Sequence, residues 1–392
     1  MGTESVIVVP ADDHVALSVI RSLGRKGIRV TAITTGRDIA QSSRYCRRVI
    51  ATTADRLGAS LLDLVKTEPG SYVIGLGDLE ILTLNERREE LQRYATLLFP
   101  DRERLALVLN KMDTLALAQA VGVPVPKTVD MADDLAPSQC NSLPFPVVIK
   151  PRQKGGLPFK AFKVRYAQCV PELERELDQL KAHRKFLLVQ EYVAGHGAGV
   201  ELLIHEGRTV MAFQHRRIRE DPPAGGVGVC CESEGLHPDL LQHSERLLQA
   251  MRWQGVAMVE YRIDPSRGRI ALMEVNGRFW GSLPLALHAG ADFPVALVRC
   301  HSRGGYSQPF SYRYPVRCRL LAGDTKWLMR VLWRRSGSPG RAIALYLRDF
   351  RLSVKYYKWS WDDPRPAFQA IFQRTRSVTT RVLAAAGSIF GL

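Results

Sequence analysis

A chain of 392 residues with 46% apolar and 24% charged residues can bury several cores and should divide into two or three domains. Its formal charge of +16 favours anionic partners (nucleotides, acidic small molecules, anionic lipid, nucleic acid), against the plainer reading of a solubilising basic surface. Seven scattered cysteines fit neither a disulfide framework nor a zinc pattern, the N-terminus lacks secretory and myristoylation signals, and no stretch approaches the ~20 apolar residues of a membrane span, so a reducing cytoplasm is expected.

Ser5-Val-Ile-Val-Val-Pro10 predicts a short buried strand, Asp12–Leu23 a helix stopped by Gly24 and Gly27, and Arg29–Ile33 the next strand. This is a βαβ unit with a parallel pair, without the G-x-G-x-x-G of a dinucleotide site. Leu57–Val65 as helix, Tyr72–Leu76 as strand and Leu79–Arg93 as helix continue the pattern into a Rossmann-like α/β layer. Gly77, Asp78 and Glu80 follow the carboxyl end of a strand, where open α/β sheets place ligands. Asp78 reads as a helix cap first and a substrate contact second.

From Asn110 a helix runs to Gly122, followed by a proline-locked stretch to Pro126. Leu143-Pro-Phe-Pro-Val-Val-Ile-Lys-Pro-Arg152 predicts an apolar strand that carries Lys150 at its end, a fixed point charge for anionic oxygens. The loop Gln153-Lys-Gly-Gly-Leu157 is not a Walker A loop. A helix over 170–183 and strands at Phe186–Gly195 and Gly199–Ile204 come next. Val210–Glu220 passes from strand to basic cluster, and Pro222-Pro-Ala-Gly-Gly-Val-Gly228 predicts a loop. The guanidinium forks of Arg216, Arg217 and Arg219 beside Gly225 and Gly226 suit a carboxylate or phosphate; the competing reading is an exposed basic strand end.

After a helix at His237–Trp253, Val256–Asp264 and Ile270–Asn276 form a predicted hairpin around the turn Asp264-Pro-Ser-Arg-Gly268. Glu260 lies on one arm; Glu274, Asn276 and Arg278 recur at alternate positions on the other and so share a face. Two carboxylates, a carboxamide oxygen and a cation on one face suit a magnesium ion bridging anionic oxygens, whereas the plainer reading is a strand ending in a polar turn. The pattern of acid, hairpin, then Glu274-Val-Asn-Gly-Arg278 resembles the ATP-grasp superfamily, in particular its carboxylate–amine or thiol ligases and its carbamoyl-phosphate-synthase-like members.

The resemblance covers roughly residues 5 to 305 and implies an α/β fold, α+β within the ATP-grasp lobes. The expected domains are a Rossmann-like one at 1–105, an ATP-grasp module at 106–305 with its smaller lobe at about 115–190, and a basic, aromatic, mostly helical extension at 306–392. It implies that Lys111 and Lys150 reach the phosphates of ATP, that Gly155 and Gly156 lie in a loop over the triphosphate, and that Glu191, Tyr192 and Val193 form the adenine hinge. It also implies a ribose or metal contact at Glu201, Mg2+ or Mn2+ on Glu260, Glu274 and Asn276, and catalysis by Arg278 with Lys150. Asp78, Arg216, Arg217, Gly225 and Gly226 are the expected substrate contacts. The implied activity is ATP-dependent joining of a small-molecule carboxylate to an amine. Alternatives are another acceptor (thiol, carboxylation or phosphoryl transfer alone) and a non-catalytic ATP-binding peripheral membrane protein. A homodimer is allowed, and no nucleic-acid motif is present.

Four of the six tryptophans lie in the extension, at 327, 333, 359 and 361. Asp324–Arg335 has the spacing of an amphipathic helix with an arginine face, and within Ala367–Leu392 the only charged residues are arginines. Two readings stand: helices packed on the large lobe, or contact with an anionic membrane surface.

Overall fold

The computed structural model describes residues 4–36, 39–132, 139–140, 142–155, 164–223, 225–302, 305–306, 310–334 and 338–372. Three sheets organise them. The first is wholly parallel, in the order β3-β2-β1-β4-β5: β1 (Ser5–Val9), β2 (Arg29–Thr34), β3 (Arg48–Ala51), β4 (Ser71–Gly75) and β5 (Ala95–Leu97). The continuous apolar run Val6–Val9 is buried, as a central parallel strand covered on both faces requires. Helix α1 (His14–Arg25) crosses from β1 to β2 and is capped by the Asp13 carboxylate, which accepts from Val15 N at 2.8 Å and Ala16 N at 2.9 Å. α2 (Leu57–Thr67) precedes β4.

The helix expected over Leu79–Arg93 is two: α3 (Asp78–Asn85) and α4 (Arg88–Gln92). Asn85 at the break donates to Pro100 O at 3.1 Å and accepts from Arg88 Nη1 at 2.9 Å, a competing set of bonds for the chain at that point. The strand order reverses between β1 and β4, so their carboxyl ends border the crevice where such sheets bind ligands.

Helices α5 (Arg102–Leu109) and α6 (Lys111–Ala120) lead to a four-stranded antiparallel sheet, ordered β6-β9-β7-β8. Its strands are β6 (Thr128–Asp130), β7 (Val147–Pro151), β8 (Arg165–Ala167) and β9 (Leu187–Glu191), backed by α7 (Val170–Gln179). It has its own core around Val147, Ile149, Leu173 and Val189.

The large sheet has seven strands in the order β14-β13-β10-β11-β12-β15-β16. They are β10 (His196–His205), β11 (Arg208–Asp221), β12 (Val227–Glu234), β13 (Gly255–Asp264), β14 (Arg269–Asn276), β15 (Arg317–Arg319) and β16 (Lys355–Tyr356). Val200, Leu202, Val259 and Leu272 pack one face, with α8 (Pro238–Ala250) and Trp253; Leu203, Phe213 and Met258 pack the other, with α9 (Leu283–Ala289), α10 (Phe293–His301) and α1.

Two differences from the sequence reading have clear causes. The basic cluster does not end a strand: β11 runs on to Asp221, with bulges beside Arg217 and Arg219, because acids from three elements pair its arginines, Glu232 of β12 with Arg216, Glu260 of β13 with Arg217, and Asp324 with Arg219. The C-terminal extension holds α11 (Leu321–Arg334) and α12 (Pro339–Arg348), yet it also supplies β15 and β16 to the large sheet. Buried ion pairs fasten it there: Asp324 meets Arg219 at 2.6 Å and Arg319 at 2.9 Å, and Asp349 meets Arg219 at 2.7 Å and Arg317 at 2.8 Å. Farther on, Asp363 pairs with Arg21 at 3.0 Å and Asp362 with Arg25 at 2.8 Å, which ties the extension to the parallel-sheet layer as well. Residues 373–392 lie outside the described set.

Candidate active site

The β13–β14 hairpin places Glu260 directly opposite Glu274, and Asn276 two positions on along the same face. Like charges in a cross-strand pair repel unless a cation or hydrogen bonds compensate. Here Asn276 Nδ2 donates to Glu260 Oε1 at 2.8 Å and to Glu274 Oε1 at 3.4 Å. Lys154 Nζ lies 3.4 Å from Glu274 Oε2 and donates to Asn276 Oδ1 at 2.8 Å and to Val275 O at 3.0 Å. Arg217 Nη2 pairs with Glu260 Oε2. Burial pushes the Glu274 carboxyl up, but Lys154, Lys111, Lys150 and Arg217 outweigh it and hold it at about 2.

The lysines come from different elements. Lys111 opens α6, whose first turn is capped by Asn110 Oδ1 accepting from Met112 N at 3.1 Å. Lys150 stands on β7 and donates to Gln190 Oε1 at 2.6 Å. Burial, reinforced by repulsion from Lys111, lowers the Lys150 ammonium to about 8.

Lys111, Lys150, Glu260 and Glu274 are among the residues that line a cleft of about 280 Å³ between the small and large sheets. Val148, Val164 and Met273 wall it with apolar surface, and Glu191, Tyr192 and Val193 border it. Glu191 contributes backbone position there: its carboxylate is engaged by Arg269 and by Lys127 N, the latter at 2.6 Å. Arg217, Glu220, Arg262, Gly225 and Gly226 form the remaining wall. Arg217 lies 3.4 Å from Glu220, which Arg262 pairs from the other side at 2.9 Å. Burial opposes the Arg217 charge, but Glu260 and Glu220 outweigh it and raise its pKa. Glycine is needed beneath this wall, because a Cβ on Gly197 would stand 2.7 Å from Glu220 Oε1 and 2.8 Å from Arg217 Cδ.

Arg278, just past β14, and Asp78, at the start of α3, meet Nε to Oδ1 at 3.1 Å. Asp78 is the first residue of α3 and Gly77 takes the cap position, so the capping role expected for Asp78 gives way to this ion pair.

Several expected contacts are not among the residues that line the cleft: Asn276, Arg278 and Asp78 lie outside its lining, and Glu201, Arg216 and Gly155 are engaged elsewhere. Glu201 is fully buried with its carboxylate 2.8 Å from His215 Nδ1. Burial opposes the imidazolium, but Glu201 outweighs it and raises His215 to about 10, so the acid is committed to an internal pair rather than a ribose or metal. Arg216 alternates with Arg217 along β11 and pairs with Glu232 at 2.6 Å and Glu234 at 3.3 Å, away from the cleft. Gly155 adopts φ +76° and lines a neighbouring cavity with Leu82, Asn110, Asp113 and Lys154. Gly156 lies outside the described residues. The sequence reading missed Lys154, Glu220 and Arg262. Lys154 adjoins the glycines singled out in its loop; Glu220 and Arg262 carry no local signal, since their pairing joins β11 to β13.

A family model described as "ATP-grasp in the biosynthetic pathway with Ter operon" matches residues 183–322, which include Glu191 to Val193, most of the large sheet and Glu260 to Arg278. Biotin carboxylase from Campylobacter jejuni has a similar fold, with a TM-score of 0.63 at 14% identity, over 78% of this chain and 72% of that one. Residues 183–322 thus match an ATP-grasp family, and the fold over most of the chain is similar to that of a biotin carboxylase. Two curated relatives are similar in sequence. A D-alanine–D-alanine ligase of Xanthobacter autotrophicus is 25% identical over 289 residues, 69% of this chain and 86% of the relative. A D-aspartate ligase of Enterococcus faecium is 20% identical over 221 residues, 53% of this chain, and that match spans 52% of the relative's length.

The ATP-grasp residues present fit a divalent metal. Among the described residues no group of three or more His, Cys, Asp or Glu side chains could hold one. Mg2+, however, is commonly bound by one or two carboxylates together with substrate phosphates. Glu260, Glu274 and Asn276 offer such a set of hard oxygen donors on one face, with Lys154 and Arg217 balancing their charge.

Proposed function

We propose that this chain is an ADP-forming ligase that activates a small-molecule carboxylate as an acyl phosphate and joins it to an amine. The carrying observation is that one cleft is lined both by apolar Val148, Val164 and Met273 and by Lys111, Lys150, Glu260 and Glu274, with the lysines close enough to hold the Glu274 carboxyl well below its ordinary range. Two relatives named as amino-acid ligases support the reaction class.

In this reading the adenine lies against Val148, Val164 and Met273, and the phosphates point toward Lys111 and Lys150. The substrate carboxylate attacks the γ-phosphorus, ADP leaves, and the amine then attacks the acyl carbon and expels phosphate. Such a transfer is catalysed mainly by positioning and electrostatic stabilisation. Lys111 and Lys150 offset phosphate charge, while Arg278 stabilises the transferring phosphoryl group and the later tetrahedral oxyanion. A divalent metal on Glu260, Glu274 and Asn276 supplies further positive charge to the phosphate oxygens when bound. Arg217, Gly225, Gly226 and Asp78 contribute to the substrate walls.

The test is ADP release from MgATP, screened against pooled carboxylates with and without pooled amines. Release that requires both pools, and is abolished in a folded Glu274→Gln variant, is the expected result. Release with carboxylates alone would point to a different acceptor, and an active Glu274→Gln enzyme would overturn the site.

A further inference from the structure

We propose that the C-terminal extension is a docking surface for an anionic lipid bilayer. The observation is a separation of charge within residues 321–352. That segment contains only two acids, Asp324 and Asp349, and both are buried in ion pairs with Arg219, Arg317 and Arg319. What faces solvent is therefore basic and apolar. Lys326, Arg341 and Arg351 are exposed. Among them stand Met329, Leu347 and Phe350, with Trp333 at 89% and Leu352 at 98% exposure. Trp361, on the following turn, is 86% exposed.

Large apolar side chains this open to water cost solvation free energy and mark an interaction surface. Tryptophan and leucine with arginine at the rim match a headgroup region, where the ring sits at the interface and the guanidinium meets lipid phosphate. None of the described helices is long and apolar enough to cross a membrane, and the contact proposed is one at the bilayer surface. The sequence continues in the same character: Arg374, Arg376 and Arg381 are the only charged residues among 373–392. A second copy of the chain is a poorer occupant, because a two-fold contact would set the unopposed basic rims against one another. The ATP cleft is built from other elements, so this surface can be tested independently of the proposed reaction.

The experiment is co-sedimentation of the full chain with vesicles of equimolar phosphatidylglycerol and phosphatidylcholine, against vesicles of phosphatidylcholine alone. The chain should bind the anionic vesicles, and raising salt to about 0.5 M should weaken that binding because the Debye length contracts. Trp333→Ser with Leu352→Ser should lower partitioning at least tenfold, and Arg341→Glu with Arg351→Glu should lower it by about fivefold or more for each residue changed. Both variants alter exposed side chains, and unchanged circular dichroism checks their fold. Equal pelleting with and without anionic vesicles, or variants that bind like the parent, would overturn the proposal. So would light scattering that shows a dimer dissociated by the same substitutions.

Discussion

Arg278 Nε stands 3.1 Å from Asp78 Oδ1, so the residue that closes the acidic hairpin motif is held by the first turn of a helix in the parallel-sheet layer. The cation is thus aimed by a partner about two hundred positions away. Arg278→Ala is expected to lower kcat/KM about 10²–10³-fold, in the range for loss of one preorganised charge stabiliser. Asp78→Asn should lower it less, and the double variant should lose less than the sum of the two. A double-mutant cycle on ADP release measures this; strict additivity would show that the pair does not act as a unit.

Lys154 sits against Glu274 and Asn276, where its ammonium would compete with the proposed metal for the same oxygens. Lys154→Met should tighten Mn2+ binding to the nucleotide-free protein about tenfold, because a positive charge within 4 Å of the site is removed. Electron paramagnetic resonance of free Mn2+ reads this without turnover. An unchanged Kd would mean that Lys154 does not oppose metal entry.

Lys150 titrates at about 8, lowered by burial and by Lys111. Below that pH its charge is present for the phosphates, and above it the charge is lost. The kcat/KM for ATP, which reports groups of the free enzyme, should therefore fall as pH rises through about 8. Lys150→Arg, whose charge persists across this range, should remove that limb of the profile.

Asp324 is shared between Arg219 and Arg319 in a fully buried cluster. Asp324→Ala would leave buried guanidinium charge without its partner, at a cost of about 3–5 kcal/mol. Urea denaturation should show the lower midpoint. A change below about 1 kcal/mol would mean that water or Asp349 compensates.

Much of this protein was legible in the linear chain, because local patterns carry local physics. Alternation in Ile270–Asn276 aligned Glu274 with Asn276, and the turn at Asp264–Gly268 announced the partner arm with Glu260. The apolar run into Lys150 and the helix opening at Asn110-Lys111 marked two elements that reach the cleft. The parallel layer followed from strands alternating with helices.

What the tertiary structure decided were the roles that depend on partners remote in sequence. Glu201 looked available for a ligand, and only the fold shows that His215 claims it. Arg216 and Arg217 are adjacent and alike, yet the pleat sends one to Glu232 and the other to Glu260. Asp324 and Asp349 of the extension, which composition cannot distinguish from surface charges, are spent in ion pairs on the large sheet, so residues 321–352 expose no acid. Periodicity determines which residues share a face; only the packing of one element on another determines which charges are neutralised there.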